Sequence, residues 1–502
     1  MTRRLVASVV GLVIIAAPGR ASIAAQDAAP RVVVGSKSFT ESVVLGEILT
    51  QTARLAGADA EHRRQIGGTR ILFEALRRGE IDAYVEYTGT LTQELLPGVS
   101  PDSIEAALAP LGLSMTAPLG FNNTYAIGMK PDVADPRGIR TISDLRGHPD
   151  LVFGFGNEFM DRGDGWPALQ TRYQLPQANV RGLDHDLAYR ALDAGQIAAT
   201  DLYSTDAEIQ QYGLHVLEDD LAHFPDYKAV VLYRTALGGA APSVIDAWEG
   251  LAGRIDQDAM IALNARAKIE RVPEARAASD FLADTFGLRG TFTVATRTGR
   301  ITARAREHLF LVGVALAAAI LIGIPLGIIA AKRRRLGHAI LATTGLVQTI
   351  PSLALLVFMI PLLGIGTWPA IVALFLYSLL PIVRNTHQGI SGISADLRDS
   401  ADALGLPVST ILARIELPLA LPAILAGVKT AAVITVGTAT LGALIGAGGF
   451  GQPILTGIRL ADTALILEGA VPAAAMAVLA QTALDGIERL IVPKGLRLSR
   501  GR

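Results

Sequence analysis

Residues Asp399–Gly427 read DSADALGLPVSTILARIELPLALPAILAG. Leu404, Leu406, Ile411, Leu412 and Ile415 recur at helical spacing, with Asp399, Asp402, Arg414 and Glu416 among them, so the segment is amphipathic. Gly405 and Pro407 are expected to stop one short helix, and Pro418 to end the next. A helix-turn-helix with an apolar stripe suits a partner's groove. Long uncharged runs flank it on both sides, which makes it a loop at a membrane surface.

Working outward, the uncharged runs are Leu309–Ala331, Ala339–Val383, Thr430–Ile458 and Thr463–Leu484, the last interrupted only by Glu468. The second run holds about 45 residues, enough for two crossings of about 20 each, folded at GIGTWP. Five spans are therefore expected within 308–492, with the polar loop at 396–422 on the cytoplasmic side. The Lys332–Arg335 cluster and the basic tail (Arg489, Lys494, Arg497, Arg500, Arg502) fall on that same side, as the positive-inside rule asks. GIGTWP and GAGGFGQ then lie outside, with Glu468 at the outer interface. Arg297, Arg300, Arg304 and Arg306 run against the rule, just outside the first crossing. Gly323 and Gly327, four apart, permit close helix packing.

The N-terminal half differs. Residues 1–25 run basic, then apolar over Leu5–Ala17, then small. The apolar core of about 13 residues is short for a crossing, so the segment reads as a signal peptide cut after Ala24 or Ala25, or as an uncleaved N-terminal anchor. Either reading exports the segment C-terminal to it. Residues 31–292 repeat a strand–turn–helix plan. RVVVGS (Arg31–Ser36) is a buried-type strand, followed by a helix from about Thr40 to Leu55 with Thr40 as its cap. IGGTRILFEALRRGEIDAYVEY (Ile66–Tyr87) and LDHDLAYRALDAGQ (Leu183–Gln196) repeat the plan. Such units imply parallel sheet with ligands at the strand ends, and about 260 residues imply two lobes with a cleft between them. A linker at 293–307 joins the halves.

Composition narrows the chemistry. A formal charge of -1 gives no reason to invoke nucleic acid, and the absence of cysteine removes disulfides and thiolate sites. No Gly-x-x-x-x-Gly-Lys-Ser/Thr loop occurs, so the chain does not bind ATP by that device. No catalytic constellation, cofactor site or metal set stands out. Asp184, His185 and Asp186 are adjacent, and neighbours on a helix point apart, so they read as a surface helix face.

Five segments carry a resemblance: GSKSFTE (Gly35–Glu41), EYTGT (Glu86–Thr90), GFNNTYA (Gly120–Ala126), FMDRGDGW (Phe159–Trp166) and DLYSTD (Asp201–Asp206). They are similar to the substrate-binding proteins for glycine betaine, choline and carnitine, and follow one another in family order. TIPSLALL, LYSLLPIVRNT and GAGGFGQPI resemble osmoprotectant permeases across 304–492. The opening stretch resembles the coupling loop of ABC importer permeases, Glu-Ala-Ala, three residues, Gly. Here it reads Asp399-Ser400-Ala401, three residues, Gly405, departing conservatively at two positions. The resemblance implies an α/β two-lobed, periplasmic-binding-protein-like receptor domain followed by an all-α transmembrane permease domain. It implies an importer subunit in the bacterial inner membrane, homodimeric through the permease, taking up a zwitterionic or cationic betaine-type solute. ATP hydrolysis would come from a separate subunit gripped at Asp399, Ser400, Ala401 and Gly405, so the chain itself is not an enzyme. Two rivals stand beside this: import of another betaine-like or amino-acid solute such as ergothioneine, and a membrane-anchored solute sensor.

A quaternary ammonium donates no hydrogen bonds and is held by aromatic faces. Aromatics are 5% of the chain and the tryptophans are only Trp166, Trp248 and Trp368, so a tyrosine box is the available form. Tyr87, Tyr125 and Tyr203 lie in the shared motifs and Tyr227 joins them, whereas Tyr84 and Tyr233 are read as packing. A solute carboxylate would want Ser36, Lys37, Thr40, Gly68, Thr69 and Thr90 as donors. Arg162 is read as a bidentate clamp or as the partner of Asp161 or Asp164. Asn122 and Asn123 read the solute or close a turn, and Glu86 and Asp201 balance a cation or serve as structural acids.

Overall fold

The computed structural model describes residues 29–288, 296–460 and 462–493. The expected leader at 1–25 lies outside them. Ten strands form two five-stranded sheets. The first holds β1 (Arg31–Gly35), β2 (Asp59–Arg63), β3 (Ala83–Tyr87), β4 (Leu113–Met115) and β10 (Ala229–Arg234), in the order β2-β1-β3-β10-β4. The second holds β5 (Tyr125–Met129), β6 (Phe153–Gly156), β7 (Val180–Leu183), β8 (Ala199–Tyr203) and β9 (His215–Leu217), in the order β7-β6-β8-β5-β9. Each sheet is one lobe. β1 is a continuous Val32-Val33-Val34 run buried on both faces, as a parallel strand between layers requires. The chain crosses between lobes twice, from β4 to β5 and from β9 to β10. The two crossovers are tied by an antiparallel bridge between Asn122 and Lys228 and by Asn123 N–H donating to the Tyr227 carbonyl at 3.0 Å.

The Thr40–Leu55 helix forms where expected, but Thr40 does not cap it. Phe39 occupies the cap position without a side-chain bond, and the Thr40 hydroxyl turns outward to a partner from the other domain.

Among the described residues of the second half, four helices are long and apolar enough to cross a membrane: Arg297–Lys332, Thr367–Ser391, Val408–Ile445 and Thr463–Ile491. The pair Arg334–Thr349 and Ser352–Leu363, bent by 99°, makes a fifth if taken as one span. The chain doubles back at Gly364–Gly366, within the expected GIGTWP turn. Gly323 and Gly327 sit against the Thr367–Ser391 helix. A Cβ on Gly327 would stand 2.5 Å from the Thr386 Cβ, so the pair is a helix-contact face. Residues 297–307 of the expected linker are helical.

Two boundaries differ from the sequence reading. Pro418 ends no helix. The chain passes from Val408–Ile411 through a π turn at Leu412–Glu416 into Leu417–Ala439, and this wider turn takes up the bond that proline cannot make. The Thr430–Ile458 run is not one span either. It leaves its helix at Ile445, turns through Gly446, Gly448 and Gly449 at positive φ, and re-enters as a separate short helix, Gly451–Arg459. Three of the four arginines that broke the charge rule have partners: Arg300 pairs with Glu468 at 3.0 Å, Arg297 with Glu468 at 3.4 Å, and Arg304 with Glu307 at 2.9 Å.

The receptor lobes rest on this outer face. Arg459 donates to Thr40 Oγ1 at 2.8 Å and pairs with Glu274. Gln65 Oε1 accepts from Thr456 at 3.0 Å, and Glu80 accepts the Ile365 N–H at 2.7 Å. Arg78 donates to the Ile360 and Pro361 carbonyls at 3.1 Å. From the second lobe, Arg190 reaches the Ile458 carbonyl at 3.3 Å.

Candidate functional site

The cleft between the lobes closes on a ring of aromatics. Tyr125 and Tyr203 are directly opposed across the antiparallel β5–β8 pair, which puts their ring centroids 5.0 Å apart. Tyr227, at the end of the second crossover, meets Tyr125 edge-on at 5.7 Å. From the first lobe, Phe39 packs 5.5 Å from Tyr203 and 6.4 Å from Tyr87, which ends β3. Lys37, Thr69, Thr90, Asn123, Glu158 and Arg162 complete a space of about 20 Å³. That is room for about one water.

Both cations lie over ring faces, Lys37 Nζ at 5.4 Å from the Tyr87 centroid and Arg162 at 5.3 Å from that of Tyr125. Lys37 pairs with the buried Glu86 at 2.5 Å. Arg162 grips Asp164 through Nε and Nη2, each at 2.7 Å. Burial pushes the Asp164 carboxyl up, but Arg162 outweighs it and holds it below the ordinary value. The Tyr227 hydroxyl donates to Asp164 as well. Burial raises the four cage phenols above their usual range, so the rings stand neutral.

The expected residues divide. Tyr87, Tyr125, Tyr203, Tyr227, Lys37, Thr69, Thr90 and Arg162 come together. Gly68 and Asp201 line an adjoining cavity instead. Asp201 is buried, accepting the Gly156 N–H at 2.6 Å and lying 3.6 Å from His185. Ser36 is also buried, bonded to His62 at 3.0 Å and the Gln65 N–H at 3.2 Å, and Thr40 serves the domain contact. Asn122 closes the hinge, its Oδ1 taking the Tyr227 N–H at 2.6 Å.

Sequence reasoning missed Phe39, Glu41, Glu158 and His185. Phe39 and Glu41 stand inside the GSKSFTE motif, and Glu158 directly precedes FMDRGDGW, so the motifs were the available signal. Glu41 is buried and accepts from Tyr87 at 2.6 Å, Asn123 at 2.9 Å, Asn264 at 3.0 Å and Thr205 at 2.5 Å, which ties both lobes to one carboxylate. Burial raises that carboxyl above its ordinary range, with its donors opposing. His185 corrects the surface-helix reading. Its ring lies 4.6 Å from that of Tyr203, and Nε2 meets Asp206 at 3.0 Å. Burial works against its charge, but Asp201 and Asp206 prevail and hold it protonated well above the usual histidine value.

On the opposite face, the Ala395–Ala403 helix ends with Gly405 at φ 68°. Asp399 and Ser400 are exposed and Ala401 is buried beneath them. Leu404 and Val408 present 77% and 72% of their surface, too much for apolar residues of a finished interface. Glu416, fully buried, pins this loop to the first span through Lys332 at 2.5 Å and Arg398 at 3.1 Å.

The profile described as the substrate-binding domain of ABC-type glycine betaine transport systems matches residues 30–284. That described as the inner-membrane component of binding-protein-dependent transport systems matches residues 323–496. The glycine betaine/carnitine/choline transport system permease protein OpuCB of Bacillus subtilis is 40% identical over 202 residues, 40% of this chain and 93% of that protein. The permease protein OpuCD of that organism is 45% identical over 176 residues, 35% of this chain and 77% of that protein. A solved structure described as a glycine betaine/carnitine/choline ABC transporter covers 50% of this chain and 98% of its own, at 27% identity and a TM-score of 0.43. With a two-lobed receptor fold and a bundle of membrane-length helices matched in tandem, the chain belongs to the family of ABC-type glycine betaine importers, with receptor and inner-membrane permease fused in one polypeptide.

Proposed function

We propose that the chain captures glycine betaine or carnitine outside the membrane and passes it to its own permease. The observation that carries this is two cations and four tyrosines in one closed cleft. The rings suit a methylated ammonium, which has no proton to donate. Lys37 and Arg162 suit the carboxylate at the other end. Arg162 spends Nε and Nη2 on Asp164, so Nη1 remains for the solute, with the Thr69 and Thr90 hydroxyls beside it. Choline, which lacks the carboxylate, is the second reading, favoured by the Glu158 carboxylate on the cage wall.

The proposed partition is receptor 31–292, linker 293–307 and permease 308–492. Two copies of the permease domain form the pore, and a separate ATP-hydrolysing subunit grips the loop around Asp399–Gly405. The test is thermal melting of the full-length protein with glycine betaine, carnitine, choline and ergothioneine. Stabilisation by the first two, reduced by about 0.5–2 kcal/mol for each ring removed in Tyr87→Ala, Tyr125→Ala or Tyr203→Ala, is the expected result. Stabilisation by ergothioneine alone would move the solute assignment, and no response to any of them would overturn it.

A further inference from the structure

Beside the cage lies a larger space of about 310 Å³, at the lower end of the range for small-molecule sites. It shares Lys37, Phe39, Glu158 and Tyr203 with the cage, so the two adjoin. Its far wall belongs to the permease: Leu444, Leu455, Ile458 and Arg459.

The wall is chemically divided. Arg459 is 95% buried, from a residual exposure of 5%. Thr40 and Glu274 occupy its terminal nitrogens, while its Nε has no hydrogen-bond partner among the described residues. A buried guanidinium with one N–H unmatched is a position for an anion. Gly67 and Gly68 line the same space where the nine-residue Thr69–Arg77 helix begins, and no side chain caps that helix. Across the cleft, the Glu158 carboxylate makes no hydrogen bond or ion pair among the described residues, its backbone carbonyl alone accepting from the Arg162 N–H. Its Oε2 lies 3.8 Å from where a Cβ on Gly68 would stand. The rings of Phe39 and Tyr203 border it.

We propose that this cavity is a second solute site, built jointly by receptor and permease, that holds a methylated-ammonium zwitterion between cage and pore. The carboxylate faces Arg459, and the ammonium faces Glu158 and the two rings. The proposal rests on the functional reading above. It predicts that the docked chain binds two solutes where the cage alone would bind one.

The experiment is equilibrium binding of radiolabelled glycine betaine to the full-length protein in lipid nanodiscs. Two solutes per chain are expected, in a tight and a weaker class. Arg459→Gln, and separately Leu455→Trp, which fills the cavity from the permease side, should remove the weaker class and keep the tight one. Tyr125→Ala should weaken the tight class. One solute per chain, lost in Tyr125→Ala, overturns the second site and leaves the functional reading standing. Two solutes retained in both cavity variants, or joint loss of both classes in both, also overturns it. A chain that binds no glycine betaine at all overturns both readings.

Discussion

Glu41 has four donors converging on two oxygens, from Tyr87, Asn123, Thr205 and Asn264. A buried acceptor stripped of a donor costs about 1–3 kcal/mol. Tyr87→Phe should therefore lower the melting temperature by an amount matching that loss. Tyr203→Phe, whose hydroxyl meets only Tyr125 at 3.4 Å among the described residues, should shift it little. Equal shifts would remove Glu41 as the reason. His185 sets a pH dependence of definite sign. Its folded-state value is raised, so its contribution is full below the unfolded value near 6.5 and is lost as pH climbs through the folded one. Melting followed from about pH 6 to pH 10 should decline on this account, and His185→Gln should flatten the curve. The tyrosines were legible because their types suit one chemistry and fall in known motifs. Glu41 and His185 were not, because nothing local tells that a helix start will be buried by a second lobe. Asn122, read as a solute ligand or as closing a turn, spends its amide oxygen on the hinge backbone.

Among elements, the turn at Gly405 gives the sharpest case. Gly405 sits at φ 68° with nothing within 4 Å of where a Cβ would stand, so its requirement is backbone geometry and not space. Left-handed backbone costs an ordinary residue about 1–2 kcal/mol, and a β-branched one is worse placed still. Gly405→Val should impair uptake in vesicles supplied with the ATPase while glycine betaine binding stays intact. Gly405→Asn, which tolerates that conformation, should transport near normally. Unimpaired uptake by the valine variant would show that this turn does not govern coupling. The turn was legible because glycine followed by Pro407 is strong punctuation. The Gly451–Arg459 helix was not, since an uncharged run records composition and not where the backbone reverses. Pro418 misled for a related reason: a π turn ahead of it absorbs the missing bond.

At the scale of the molecule, two lobes and a membrane bundle were readable from the division of apolar residues. The seam between them was not. It joins Arg459 to Thr40 and Glu274, 419 and 185 positions away, and no local pattern reports such a pairing. Residues 31–292 expressed alone should still fold, because each lobe has its own sheet, one buried cluster runs through both, and Glu274 keeps Arg64 at 3.9 Å. A soluble fragment that binds glycine betaine checks this; an aggregate, under conditions where the full chain is sound, counts against the boundary. The seam is also lopsided. Its side-chain bonds come from the first lobe, and among the described residues the second gives only Arg190 to a carbonyl. One lobe is thus fastened to the permease, and the other is held chiefly through the two crossovers. Unloading then has the kinetics of a gate and not of a collision. Its rate does not depend on receptor concentration, and a surplus of free receptor in the surrounding fluid would find the landing place taken and leave the flux unchanged.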